Sequence, residues 1–168
     1  MNLLIIRHGP AGEREQWEAQ GKDDRLRPLT SAGSREMREV SEGLKRLTPS
    51  LPMVVTSPLV RAAETAAIVG SSYACRIIEL DELSPDSAPN EVVARLRDHP
   101  HEILAVVGHE PHLSSMTGYL LTGSPSSFLK LDKGGACLVA FRGAPEAGHG
   151  VLHWLMTSHD LRRLGKVQ

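Results

Sequence analysis

Two histidines that follow apolar runs, and two arginines at comparable places, are the residues of this chain whose types and spacing suggest chemistry. Arg7-His8-Gly9 follows Leu3-Leu4-Ile5-Ile6, and Gly108-His109 follows the run Ile103 to Val107. Arg61 falls in the first turn of a predicted helix, just after Met53 to Thr56 and Ser57-Pro58. Arginine presents a planar, permanently charged fork that fits phosphate oxygens, and a helix N-terminus adds free N–H groups and partial positive charge. A positive side chain opposes the helix macrodipole at that end, so an anion partner explains Arg61 better than a solvated surface does. A neutral imidazole supplies a nucleophile. Together Arg7, His8, Arg61 and His109 would bind a tetrahedral dianion, with His8 as the phosphate-handling histidine.

The elements needed to bring these groups together are legible in the hydrophobic pattern. Leu3 to Ile6 is four consecutive apolar residues, two of them β-branched, as expected of a strand buried on both faces. Met53 to Thr56 and Ile103 to Val107 read the same way, Arg76 to Leu80 reads as a further strand, and Ala136 to Phe141 and Val151 to Met156 follow as two late strands joined through Gly143 to Gly150. Between them lie helical periods. Thr30 is the expected N-cap of a helix with the stripe Met37, Val40, Leu44 and Leu47, ended by Pro49. Leu59, Ala62, Ala66 and Val69 mark a second helix with Gly70 as its C-cap. Asn90 to Arg97 is a short helix, Leu113, Met116, Leu120 and Leu121 mark another, and Leu161 and Leu164 a terminal one. Ala11 to Pro28 is a long polar loop with at most a helical turn near Trp17, and Asp81 to Pro89 is a second loop. The pattern predicts a three-layer α/β/α sandwich with a mostly parallel central sheet. Ligands of such sheets bind beyond the carboxyl ends of the strands, where Arg7, His8 and His109 would sit.

Composition excludes several other functions. A chain of 168 residues, 40% hydrophobic and 23% charged, suits a single globular domain spanning residues 1–168. A net charge of −1 gives no broad basic surface for nucleic acid or an anionic membrane. The N-terminal apolar run stops at Arg7, too short for a signal segment or a membrane span, so a soluble cytoplasmic protein is expected. Cys75 and Cys137 are far apart in apolar surroundings and read as small hydrophobes, neither a disulfide nor a zinc site.

The ordered set Arg7-His8-Gly9, Leu29-Thr30-x-x-Gly33, Ser57-Pro58-x-x-Arg61-Ala62-x-x-Thr65 and Gly108-His109 resembles the histidine phosphatase superfamily, also called phosphoglycerate mutase-like. The short length, the run Arg27-Pro28-Leu29-Thr30 and the loop Glu82-Leu83-Ser84-Pro85 look like its small SixA-type phosphohistidine phosphatases. The resemblance implies a metal-independent, two-step reaction without a cofactor, in which His8 takes the phosphoryl group and water removes it. Arg7 and Arg61 would clamp the phosphoryl oxygens and lower the His8 pKa. A backbone carbonyl would hold the other His8 ring nitrogen, and a protonated His109 would donate a hydrogen bond. The implied partner is a phosphohistidine-bearing protein, such as a phosphorelay domain or a phosphocarrier. Glu82 is the best positional match to the family's general acid, with Asp81 and Asp86 as rivals. Pro10 departs from the family, which often has a polar residue there, and removes a backbone donor.

Blander readings apply elsewhere. His99, His101, His112, His149, His153 and His159 are expected to be surface or structural residues, and Ser57 and Thr30 to be caps that shape the pocket. Arg25 and Arg27 lie near the expected pocket mouth, where ordinary solvated charge is the simpler reading. Three rival functions share some of these residues: a small-molecule phosphomonoesterase or mutase, a non-catalytic phosphohistidine-binding module, and a metallohydrolase built on His109-Glu110-Pro111-His112. Degenerate binders would have lost the nucleophile, and Pro111 breaks the helical spacing that paired metal ligands require.

Overall fold

The buried parallel strands Asn2–Arg7, Met53–Thr56 and Ile103–Gly108 carry the site, and their apolar residues explain why they lie at the centre of the sheet. The computed structural model describes residues 1–167. β1 (Asn2–Arg7), β2 (Met53–Thr56), β3 (Arg76–Glu79) and β4 (Ile103–Gly108) run parallel, and β5 (Ala136–Ala140) and β6 (Val151–Met156) complete a six-stranded sheet in the order β3-β2-β4-β1-β5-β6. β5 is antiparallel to β1, and β6 is antiparallel to β5.

Among the described residues, six helices lie between or after the strands: α1 (Arg14–Glu18), α2 (Ser31–Leu47), α3 (Val60–Tyr73), α4 (Pro89–Leu96), α5 (His112–Thr122) and α6 (Ser158–Gly165). Successive side chains of β1 point to opposite faces, so its unbroken apolar run feeds two cores. Leu3 and Ile5 pack with Val92, Leu96, Leu113 and Met116 of α4 and α5. Leu4 and Ile6 pack with Met37, Val40, Leu44, Ala62, Ala66 and Leu161 of α2, α3 and α6. Leu3, Leu4, Ile5 and Ile6 are all fully buried, and each such side chain contributes roughly 1.5–3 kcal/mol relative to an exposed one. The expected three-layer α/β/α arrangement is therefore present.

Local chemistry fixes the helix starts nearest the site. Thr30 caps α2 by accepting from the Gly33 N–H at 2.9 Å, and Lys45 and Arg46 complement the dipole in its last turn. α3 departs from the expected end: it runs through Gly70 to Tyr73, and Ala74 caps it in the left-handed region. The glycine serves packing instead, because a Cβ there would lie 2.6 Å from Ile77 Cδ1 on β3. At Gly43 the backbones of α2 and α6 come into contact, with a Cβ placed 1.9 Å from the Leu161 carbonyl oxygen. No helix among the described residues is long and apolar enough to cross a membrane.

Candidate active site

Strand register brings the two histidines together. β1 and β4 are paired with Ile6 opposite Val107 and Arg7 opposite Gly108, so His8 and His109 leave adjacent strand ends side by side. The His8 N–H donates to the Gly108 carbonyl at 3.0 Å. The two rings face each other with centroids 5.0 Å apart and planes inclined by 53°.

The ring of His8 is fixed in one tautomer. Its Nδ1 lies 2.7 Å from the Gly9 carbonyl, which has no proton to give, so Nδ1 carries the hydrogen and Nε2 keeps its lone pair. The expected backbone carbonyl is thus Gly9. The pKa of His8 is lowered to about 3, mainly by burial, which outweighs the opposing Gly9 bond, with Arg61, Arg7 and Arg27 adding to the depression. The sequence argument named only Arg7 and Arg61, because desolvation follows from tertiary packing.

His109 is held from β2. Its Nε2 lies 2.9 Å from Ser57 Oγ, and that oxygen also accepts from the Leu59 N–H at 3.3 Å. Where the Ser57 hydroxyl donates its proton to His109 Nε2, the hydrogen of that ring sits on Nδ1. That Nδ1 is buried and has no partner. Burial first, then the neighbouring His8 and Arg61, lowers the His109 pKa to about 2. His109 is therefore neutral in the free site, not protonated as the sequence led us to expect. A bound dianion would oppose that shift. Ser57 is more than a cap.

The arginines are anchored from several elements. Arg7 Nη1 donates to the Leu131 carbonyl at 2.8 Å, and its Nε is buried without a partner. Arg61, in the first turn of α3, donates through Nη1 to the Asp24 carbonyl at 2.8 Å and pairs through Nη2 with Asp24 Oδ2 at 3.2 Å. Its Nε also has no partner. Thr65, one turn along α3, donates to the Arg61 carbonyl at 2.7 Å and accepts from the Gly9 N–H at 3.1 Å. This ties the loop after β1 to the start of α3.

These groups line one cavity of about 880 Å³. Arg7, His8, Arg61 and His109 all contribute to it, as the strand-end argument required. Glu82 does not: it lies on a 3-10 turn (Asp81–Leu83) and pairs with Arg95 at 3.0 Å. Asp86, farther along the same loop, reaches the lining, and Asp81 does not. Arg25 and Arg27 both line the cavity. Arg27 is buried, which overturns its reading as solvated charge: its Nε lies 2.7 Å from Asp24 Oδ1 and its Nη1 donates to the Gly12 carbonyl. Asp24 escaped the sequence reading altogether. The available signal was its three-residue spacing from Arg27 within a polar loop.

The sequence His109-Glu110-Pro111-His112 does not gather its side chains. Glu110 Oε1 accepts from Ser114 Oγ at 2.6 Å and from the Leu131 N–H at 2.9 Å, while His112 is buried with neither ring nitrogen partnered. Among the described residues, no three His, Cys, Asp or Glu side chains form a group able to hold a metal ion. Cys75 and Cys137 are both free thiols, and burial pushes Cys137 up to about 12.

Comparison with known proteins places this geometry. A model of the histidine phosphatase superfamily (branch 1) matches residues 3–84. An uncharacterized protein of Picosynechococcus is 30% identical over 139 residues, covering 80% of this chain and 82% of that one. The phosphohistidine phosphatase SixA of Escherichia coli K12 is 28% identical over 168 residues, covering 96% and 97% of the two chains. A solved structure of the protein histidine phosphatase SixA complexed with tungstate superposes with a TM-score of 0.81 at 26% identity, over 96% of this chain and 99% of that chain.

Proposed function

Because the chain belongs to the histidine phosphatase superfamily and is a phosphatase, we propose that it hydrolyses phosphohistidine on a protein partner through a phosphorylated His8. The observation that carries this reading is the bare Nε2 of His8, held by the Gly9 bond on Nδ1 and surrounded by the charges of Arg7, Arg27 and Arg61.

In the first step His8 Nε2 attacks phosphorus, and the bond between phosphorus and the partner's imidazole breaks. The partner's phosphoimidazole reacts with its far ring nitrogen already protonated from solvent, so the electron pair of the broken bond returns to the ring and it leaves as neutral imidazole. Arg7 and Arg61 hold the equatorial oxygens, and the unpartnered Nδ1–H of His109 donates to one of them as charge shifts. Nδ1 of His8 keeps its hydrogen on Gly9 throughout, so the phosphoimidazole is in its protonated, labile form. In the second step water attacks that phosphorus, the bond to Nε2 breaks, and phosphate leaves with neutral His8 restored.

The choice of substrate rests on two supports. The relative SixA, whose length this chain nearly matches, is described as a phosphohistidine phosphatase. An imidazole leaving group also needs less help from an acid than an alkoxide, for which a positioned acid is worth roughly 100- to 10,000-fold. Tethering of Glu82 to Arg95 therefore matters little for phosphohistidine. Asp86 in the cavity lining favours one second reading, a small-molecule phosphomonoesterase with that residue as the acid.

Phosphate release from a phosphohistidine protein and from a panel of small phosphate monoesters, by wild type and His8→Ala, tests the proposal. Preference for phosphohistidine, with release abolished in His8→Ala, is expected. Faster turnover of monoesters would replace the substrate with the second reading, and full activity of His8→Ala would remove the nucleophile.

A further inference from the structure

Asp24 is an anion built into a site for anions. Its carboxylate bridges Arg27, at 2.7 Å, and Arg61, at 3.2 Å, within the cavity that holds His8 and His109. A carboxylate there competes directly with an incoming phosphoryl group for the Arg61 guanidinium, so a reason for it is required.

Holding the arginines in place is not a sufficient reason. Arg61 Nη1 is already anchored by the backbone carbonyl of Asp24, and Arg27 Nη1 by the carbonyl of Gly12. Both anchors are independent of the Asp24 side chain. What the carboxylate adds is charge. Arg7, Arg27 and Arg61 are all near enough to His8 to act on it electrostatically, and together they supply three positive charges. Asp24, kept ionised by its hydrogen bond to Arg27 and by the charge of Arg61 despite its burial, removes one of them.

We propose that Asp24 is an internal counter-anion that lowers the charge of the Arg7, Arg27 and Arg61 cluster from +3 to +2, so that the site binds a phosphoryl group without trapping the phosphate it produces. Catalysis requires interactions that strengthen in the transition state, and a third uncompensated cation would bind substrate, intermediate and product phosphate alike. Sharing Arg61 between Asp24 and the ligand lets the carboxylate take back the guanidinium as phosphate departs. This inference rests on the reading of the cavity as a phosphoryl site.

Calorimetric titration with inorganic phosphate, which needs no turnover, tests it on wild type, Asp24→Asn, Arg27→Gln and the double variant, each checked by a thermal melt. Coulomb's law in a water-like medium makes one unit charge beside a dianion worth about tenfold in affinity. Asp24→Asn is expected to bind phosphate about tenfold tighter, and Arg27→Gln about tenfold weaker. The double variant, again at +2, is expected to return to within about threefold of wild type. Asp24→Ser serves the same purpose if the asparagine disturbs the loop. Folded Asp24→Asn or Asp24→Ser that binds phosphate no tighter than wild type overturns the inference, as does a double variant weaker than both single ones. Failure of wild type to bind phosphate would overturn the phosphoryl-site reading itself, and the inference with it.

Discussion

His8 and His109 lie with their ring centroids 5.0 Å apart at adjacent strand ends, and each has one nitrogen committed to a fixed partner: Nδ1 of His8 to the Gly9 carbonyl, Nε2 of His109 to Ser57 Oγ. The uncommitted nitrogens differ in kind. His8 Nε2 offers a lone pair, and with Ser57 donating to Nε2 of His109 the Nδ1 of that ring offers a hydrogen, which are the two things a phosphoryl group needs as it is transferred.

Neither ring is expected to titrate near neutral pH. With pKa values of about 3 and about 2, both stay neutral well below pH 6.5. Histidine resonances followed by NMR between pH 8 and pH 4.5 should show those of His8 and His109 unshifted. A midpoint near 6.5 for His8 would remove burial as the force that keeps the nucleophile neutral.

The same shifts make acid destabilising. An unfolded histidine binds its proton near pH 6.5 and the folded rings only near 3 and 2, so between those values the unfolded state holds more protons and stability falls as pH falls. The slope is at most about 1.4 kcal/mol per pH unit for each ring. Denaturant unfolding at pH 6.5 and pH 4.5 should show this loss, and His109→Gln should show a shallower one. Equal slopes would mean that His109 is not held neutral by the fold.

Ser57→Ala removes the hydroxyl that is hydrogen-bonded to His109 Nε2. One neutral hydrogen bond is worth about 1 kcal/mol, so kcat for phosphohistidine should fall about five- to tenfold with KM little changed. Steady-state kinetics on one phosphoprotein substrate decides it. Unaltered kcat would confine Ser57 to capping.

Glu82 and Asp86 are separable by mutation. The Glu82 pair with Arg95 is partly exposed to solvent and contributes at most about 1 kcal/mol, so Glu82→Gln should leave phosphohistidine turnover within about twofold of wild type. Asp86→Asn should slow any monoester turnover more than phosphohistidine turnover. A large loss of phosphohistidine activity in Glu82→Gln would restore that residue as the acid.

Gly33→Ala tests the loop after the nucleophile. A Cβ at Gly33 would lie 2.0 Å from the Pro10 carbonyl oxygen, the same oxygen that accepts from the Thr30 N–H at 3.0 Å. Overpacking of this kind costs about 1–3 kcal/mol, against about 1 kcal/mol gained in helix propensity, so the variant should be less stable and less active. Unchanged denaturation midpoint and rate would show that the loop yields freely.

The strands and helices were legible because burial on two faces demands unbroken apolar runs in β1, β2 and β4, and burial on one face demands a helical stripe such as Met37, Val40 and Leu44. Arg7, His8, Arg61 and His109 were legible because strand ends and helix starts are places the pattern itself marks. β3 illustrates the limit, since its residues read as a strand but its place at the sheet edge depends on the crossover order, and the pairing of Glu82 with Arg95 depends on where α4 packs. Gly70 likewise reads as a helix end until the packing of Ile77 gives it another purpose. Arg27 and Asp24 show the same division from the other side. A polar loop carries no period, so only the folded chain could bury Arg27, bring Asp24 onto Arg61, and desolvate two imidazoles. The sequence by itself determined the elements and the groups at their ends. Tertiary structure decided the charge, tautomer and neighbours of those groups, because these depend on distances and on exclusion of water between segments remote in the chain.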